Sequence, residues 1–293
     1  QEAAHGTGCE IKGVCGKTPT TAALQDALVH AARGVSIYAT AARAHGEVSP
    51  KTAEWLRVAL FTTITNANFD DQAIFERVVE GLSLRAELQD RCERMEVVVP
   101  LSHTDAATFG AASVEEMVSV AARLGVKRTE NEDVRSLREL LVYGLKGLAA
   151  YLHHAAELGA FDAEVEAFLE RALAATVDDS LDGAALTGLV LEAGQKAVSA
   201  MALLDGANTG RFGNPEITKV KIGVGNRPGI LVSGHDLVDL EQLLEQSKDA
   251  GIDIYTHSEM LPAHSYPGLK KYAHLYGNYG NAWWQQNKEF ESF

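Results

Sequence analysis

The strongest constraint on the fold is a stretch that occurs twice. Ala23–Gly46 reads ALQDALVHAARGVSIYATAARAHG, and Ser136–Gly159 reads SLRELLVYGLKGLAAYLHHAAELG. Aligned without gaps, Leu24/Leu137, Leu28/Leu141, Val29/Val142, Gly34/Gly147, Tyr38/Tyr151, Ala42/Ala155 and Gly46/Gly159 coincide. Apolar residues recurring at three and four make both stretches amphipathic helices. A glycine inside a helix costs about 1 kcal/mol relative to alanine. The paired Gly34 and Gly147 are therefore expected to admit a closely approaching helix, and Gly46 and Gly159 to end their helices.

Helix signals surround both copies. Thr18 is positioned to cap a helix with Pro19 at its first position, and Ser49-Pro50 repeats the device. Asn68 is read as the cap of a third helix carrying Ile74, Phe75, Val78 and Leu82 on one side. Ser113-Val-Glu-Glu116 and Thr129-Glu-Asn-Glu132 have the form of capping boxes. Phe161–Ala175 and Leu186–Leu204 supply two more helices after the second copy. The fold class expected is a mainly α N-terminal domain, two three-helix bundles made by internal duplication, over residues 18–205. A turn-rich linker, Asp205–Pro215, follows, and then the start of an α/β domain with a parallel sheet. The domain boundaries expected are 1–212 and 213–293.

In the α/β part, Ile217–Val224 reads as a strand. Ile230–Val232 and Ile252–Tyr255 are two more short β-branched runs, and Leu237–Gln246 between them has helical spacing. Strand, helix, strand is the unit of a parallel sheet, and such sheets gather ligands at the carboxyl ends of their strands. His235 follows the first run and Glu259 the second, so the two belong on one rim. His257 and His264 lie close by in sequence. Nitrogen and carboxylate donors suit zinc, iron or manganese about equally. Gly223, Gly225 and Gly229 match neither G-x-G-x-x-G nor a phosphate loop.

The 293 residues carry a formal charge of −14, which argues against nucleic acid as a partner. No run of about 18 apolar residues is present to span a bilayer. Three cysteines are too few for a disulfide framework, so the expected setting is a reducing cytoplasm. Two of them, Cys9 and Cys15, stand five residues apart among Gly6, Gly8, Gly13 and Gly16. Glycines let backbone amides approach the sulfurs of an iron–sulfur cluster, and Lys12 and Lys17 would favour thiolates. Cys92 falls in a helical pattern and reads as a structural thiol. The chain begins without Met and stops soon after its α/β part starts, so it is read as a piece of a longer protein.

From Gln1 to Phe293 the chain resembles the N-terminal half of the hybrid-cluster protein family, also called prismane proteins or hydroxylamine reductases. The matching segments are Gly8-Cys9-x5-Cys15-Gly-Lys, Leu24-Gln-Asp, Gly213-Asn-Pro-Glu-Ile-Thr-Lys, Gly234-His-Asp-Leu, Tyr255-Thr-His-Ser-Glu-Met-Leu-Pro-Ala-His264 and Gly277-Asn-Tyr-Gly-Asn-Ala-Trp-Trp284. The resemblance implies two iron–sulfur centres. Cys9 and Cys15 match the last two cysteines of a four-cysteine motif for a [4Fe–4S] cluster. His235 and Glu259 match two iron ligands of a buried hybrid [4Fe–2O–2S] cluster, with His257 and His264 in the surroundings. It also implies reduction of hydroxylamine to ammonia and water, or of nitric oxide, with electrons from a redox donor. The first two cysteines of the motif would precede Gln1, and further hybrid-cluster ligands would follow Phe293. This polypeptide alone is therefore expected to assemble neither centre. Two other functions compete: a nickel–iron carbon monoxide dehydrogenase-like enzyme, and a non-catalytic helical interaction module.

Overall fold

The computed structural model describes residues 15–64, 67–121 and 123–293. The chain divides into two compact units, Gln1–His153 with Asp162–Met201, and His154–Phe161 with Ala202–Phe293. The helical part holds α1 (Pro19–Ala44), α2 (Pro50–Thr62), α3 (Asp71–Arg94), α4 (Asp105–Thr108), α5 (Val114–Ala121), α6 (Glu132–Glu157), α7 (Ala163–Ala175) and α8 (Gly183–Phe212). Thr18 accepts a hydrogen bond from the Thr21 amide ahead of Pro19, and Ser49 does the same for Thr52 ahead of Pro50. These caps satisfy amides that the first helical turn leaves without partners. Helix α1 is the centre of the first unit: Leu24, Leu28, Ala31, Ala32 and Val35 are wholly buried. It packs on α2, α3, α4, α5 and α7.

The two copies of the repeat are α1 and α6, and they stop alike. Gly46 and Gly159 take φ values of 86° and 77°. The amides of Glu47 and Ala160, one residue further on, reach back to the carbonyls of Ala42 and Ala155 at 3.1 and 2.9 Å. Left-handed glycine closure of this kind satisfies carbonyls at a helix end. The interior glycines differ. A Cβ at Gly34 would lie 2.2 Å from the Ala106 carbonyl oxygen, whereas one at Gly147 would meet nothing within 4 Å. Close approach explains Gly34 and leaves Gly147 unexplained. Gly34→Ala is expected to lower stability by about 1–3 kcal/mol through overpacking. Gly147→Ala is expected to raise it by up to about 1 kcal/mol. Urea midpoints of the two variants give the comparison.

Several expected boundaries move. Asp70, not Asn68, caps α3, and Asn68 instead accepts from the Asp70 amide at 2.7 Å. Asn131, not Thr129, caps α6 by accepting from the Val134 amide at 3.0 Å; the Thr129 hydroxyl accepts from Arg138 instead. At α5, Ser113 accepts from Glu116 N at 3.2 Å, as its capping box implies. The expected linker from Asp205 is helical to Phe212, because Phe212 is buried in the core of the second unit. Gly213, at φ 87°, then ends α8. Cys92 is buried, with its thiol 3.7 Å from the Tyr38 carbonyl, and burial pushes its pKa up.

The second unit holds β1 (Gly229–Ser233), α9 (Leu237–Ser247), β2 (Asp253–His257), α10 (Pro267–Lys270), β3 (Leu275–Asn278) and α11 (Gln286–Ser292). The expected strand at 217–224 is not formed; Ile217 and Ile222 are exposed and the segment is irregular. The sheet is parallel throughout, in the order β1-β2-β3. All five residues of the central strand β2 are buried, as a parallel strand covered on both faces requires. Ile254 faces a core of Phe212, Leu240, Leu244, Met260, Ala263, Leu269 and Leu275. On the opposite face, Tyr255 and His257 stack edge-on with Phe293 and Phe290, at centroid distances of 5.1 and 5.4 Å. A helical domain followed by the start of a parallel α/β sheet is the observed architecture.

Candidate metal centre

The rim of the sheet is set by register. Ser233 at the end of β1 pairs with His257 at the end of β2. The next residues, Gly234 and Ser258, both take positive φ, 143° and 55°, so both strands break at the same level. His235 and Glu259 come next, each two residues beyond the pair, and both are exposed. Asp236 then caps α9, accepting from the amides of Val238 and Asp239 at 2.7 and 3.1 Å. Its other oxygen lies 3.1 Å from His154 Nδ1. Burial alone would raise the Asp236 pKa, but the His154 contact and the two amides bring it below the usual carboxylate value.

Glu259 is steered from next door. The Ser258 hydroxyl donates to its carboxylate and holds its pKa below the ordinary value. Burial opposes this, while its own amide and the nearby His235 and His257 reinforce it. An ionised carboxylate beside an imidazole is a donor pair for a borderline or hard cation. Among the described residues, no group of three or more His, Cys, Asp or Glu side chains is gathered to hold a metal ion. His235 and Glu259 are the two donors that the described residues bring to this rim.

The other two histidines face away from each other. His264 is buried, with Nε2 2.9 Å from Thr256 Oγ1, which itself donates to Asn278 Oδ1 at 2.9 Å. Burial lowers its pKa, partly offset by a hydrogen bond to the Gly277 backbone. It is a satisfied core histidine. His257 projects to the opposite face and is wholly buried, its Nε2 2.6 Å from Glu289 Oε2. Glu289 also accepts from the amide and side chain of Asn281 at 3.0 and 2.7 Å. These bonds, the Asn281 amide first and then His257, hold its carboxyl below the usual range. Glu289 was not among the residues expected here; it stands thirty-two positions from His257, beyond any local spacing signal.

Cys9 lies outside the described residues. Cys15 is a half-buried free thiol. Lys17, expected to favour thiolates, is buried; its ammonium donates to the Ile64 carbonyl at 3.1 Å and lies 5.6 Å from the centre of the Phe69 ring.

Comparison with known proteins places this geometry in context. The model of the Prismane/CO dehydrogenase family matches residues 2–293. The chain belongs to that family. Curated relatives named hydroxylamine reductase include one from Desulfitobacterium hafniense, 56% identical over 293 residues, covering all of this chain and 53% of the relative. Those from Clostridium botulinum and Clostridium tetani are each 50% identical over 316 residues, covering all of this chain and 55% of the relative. The chain thus spans about half the length of the curated relatives it matches. The resemblance drawn from Gly234-His-Asp-Leu and the Tyr255–His264 segment falls within this Prismane match. An iron centre fits the rim as far as donors go. Nitrogen and oxygen ligands suit iron, and His235 and Glu259 are exposed two residues beyond the paired Ser233 and His257. Among the described residues, no helix is long and apolar enough to cross a membrane.

Proposed function

We propose that this chain forms part of an iron–sulfur oxidoreductase that reduces hydroxylamine to ammonia and water, taking up two electrons and two protons. The reading is carried by one observation: His235 and Glu259 stand at the same level beyond a register pair of adjacent parallel strands. The substrate comes from the name borne by relatives at 50–56% identity. His235 and Glu259 would be two iron ligands of a hybrid [4Fe–2O–2S] cluster, and Cys9 and Cys15 two thiolate ligands of a [4Fe–4S] cluster.

When bound, the hybrid cluster supplies electrons and an iron position to which an N–O group can attach. The chain's own residues prepare the ground. Ser258 keeps Glu259 ionised and aimed, and a carboxylate can bind through one oxygen or two, which lets it yield space to a ligand. Asp236, the residue after His235, is fixed at the start of α9 as its cap, limiting the backbone freedom of the imidazole. Nitric oxide shares the N–O bond and is the alternative substrate. A reducing cytoplasm and a redox electron donor suit both.

A nickel–iron centre is the second reading, favoured by the breadth of the Prismane/CO dehydrogenase family description. Metal and sulfide analysis of the anaerobically prepared full-length protein separates the two. Iron with acid-labile sulfide, no stoichiometric nickel, and ammonia formed from hydroxylamine are expected. Stoichiometric nickel with no ammonia would overturn the proposal.

A further inference from the structure

Ser233 and His257, the register pair that closes the sheet, share a second property. Each carries a buried polar atom that finds no hydrogen-bond partner among the described residues, Ser233 Oγ and His257 Nδ1. Neighbouring strands run about 4.8 Å apart, and paired residues send their side chains to the same face. Two unanswered polar atoms therefore sit side by side, one step below His235 and Glu259. Leaving one such group buried without a partner costs about 1–3 kcal/mol, so two together call for a ligand.

The imidazole is oriented for that purpose. The Glu289 carboxylate accepts from His257 Nε2, so Nδ1 is the ring nitrogen left for a ligand. Asn281 holds Glu289 from two sides. Gly280, at φ 86°, makes room for the pair, since a Cβ there would lie 2.6 Å from both the His257 ring and the Glu289 carboxylate. Ser233 brings a hydroxyl that can donate. The complement is a small molecule with an acidic O–H beside a lone pair.

We propose that Ser233 Oγ and His257 Nδ1 form the hydrogen-bonding subsite that orients hydroxylamine beside the His235–Glu259 centre, an inference that rests on the function proposed above. The hydroxylamine O–H donates to His257 Nδ1, and the Ser233 hydroxyl donates to a lone pair of the same molecule. Glu289 and Asn281 are positioning residues, acting through the imidazole.

Ser233→Ala is the decisive variant, because it removes one hydroxyl and leaves the sheet intact. In the iron-loaded full-length protein, the KM for hydroxylamine should rise about tenfold, the loss of one hydrogen bond, with kcat within about twofold. Iron content should stay unchanged. Hydroxylamine titrated into the oxidised protein, followed by the cluster's paramagnetic resonance signal, should show the same tenfold weakening without turnover. Crystals of the oxidised protein soaked in hydroxylamine should show a two-atom ligand touching both groups. A wild-type KM and binding constant in Ser233→Ala, or only a water molecule between the two groups, would overturn the subsite while leaving the iron assignment standing. A wild-type protein that holds iron but forms no ammonia would remove both.

Discussion

Replacing His235 by alanine in the full-length protein is expected to abolish ammonia formation from hydroxylamine while the spectroscopic signal of the proposed [4Fe–4S] cluster persists. Removing a residue that merely supports a metal ligand costs about 10–100-fold in affinity or activity, so loss of a ligand should exceed about a hundredfold. Glu259→Ala should behave alike, because the two stand at one level of the rim, two residues beyond the Ser233–His257 pair. Cys15→Ser should produce the reverse pattern, with a damaged [4Fe–4S] signal and slowed electron delivery. Iron per chain, resonance spectra of both centres and ammonia yield together check the contrast. Full turnover in the His235 variant would remove the assignment.

The largest stability effect is expected at Glu170. On α7 it receives two hydrogen bonds from Arg43 of α1, at 2.7 and 2.8 Å, and its side chain is 4% exposed against 18% for Arg43. A two-pronged guanidinium–carboxylate pair in this setting is geometrically fixed. Glu170→Ala removes both hydrogen bonds to the half-buried guanidinium and leaves only the charge of Glu166 near it, a loss of about 3 kcal/mol. The exposed Lys51–Glu87 pair, with side chains 62% and 61% exposed, is the control. Glu87→Ala should change stability by less than about 1 kcal/mol. Urea denaturation of both variants tests the ranking, and equal losses would show that burial of the Arg43–Glu170 pair counts for little.

What the sequence disclosed, and what it concealed, follows the range of the interactions concerned. The repeat, its closing glycines and the proline-led caps of α1 and α2 are local signals, and all of them reappear in the structure. So does the β1-α9-β2 unit, whose spacing alone put His235 and Glu259 on one rim. Strand β3 escaped notice because Leu275-Tyr-Gly-Asn278 has weak strand character and exists through pairing with β2. Ile217–Val224 erred the other way, since β-branched residues form a strand only where an edge receives them. The helix through Asp205–Phe212 persists despite its turn-forming residues because Phe212 is buried at its end. At the rim, no spacing rule could connect His257 with Glu289, and the orphaned Ser233 hydroxyl has meaning only once the register is known.

Ser258 carries a consequence of its own. A side chain at φ 55° costs about 1–2 kcal/mol of conformational energy, and only glycine, asparagine or aspartate adopt such a backbone readily. Descendants of this sequence are therefore filtered at position 258 by shape, whatever the neighbouring Glu259 binds. Valine or isoleucine there would be rejected on backbone grounds alone. Glycine would relax the bend but free the peptide to swivel, leaving the neighbouring carboxylate without a fixed bearing.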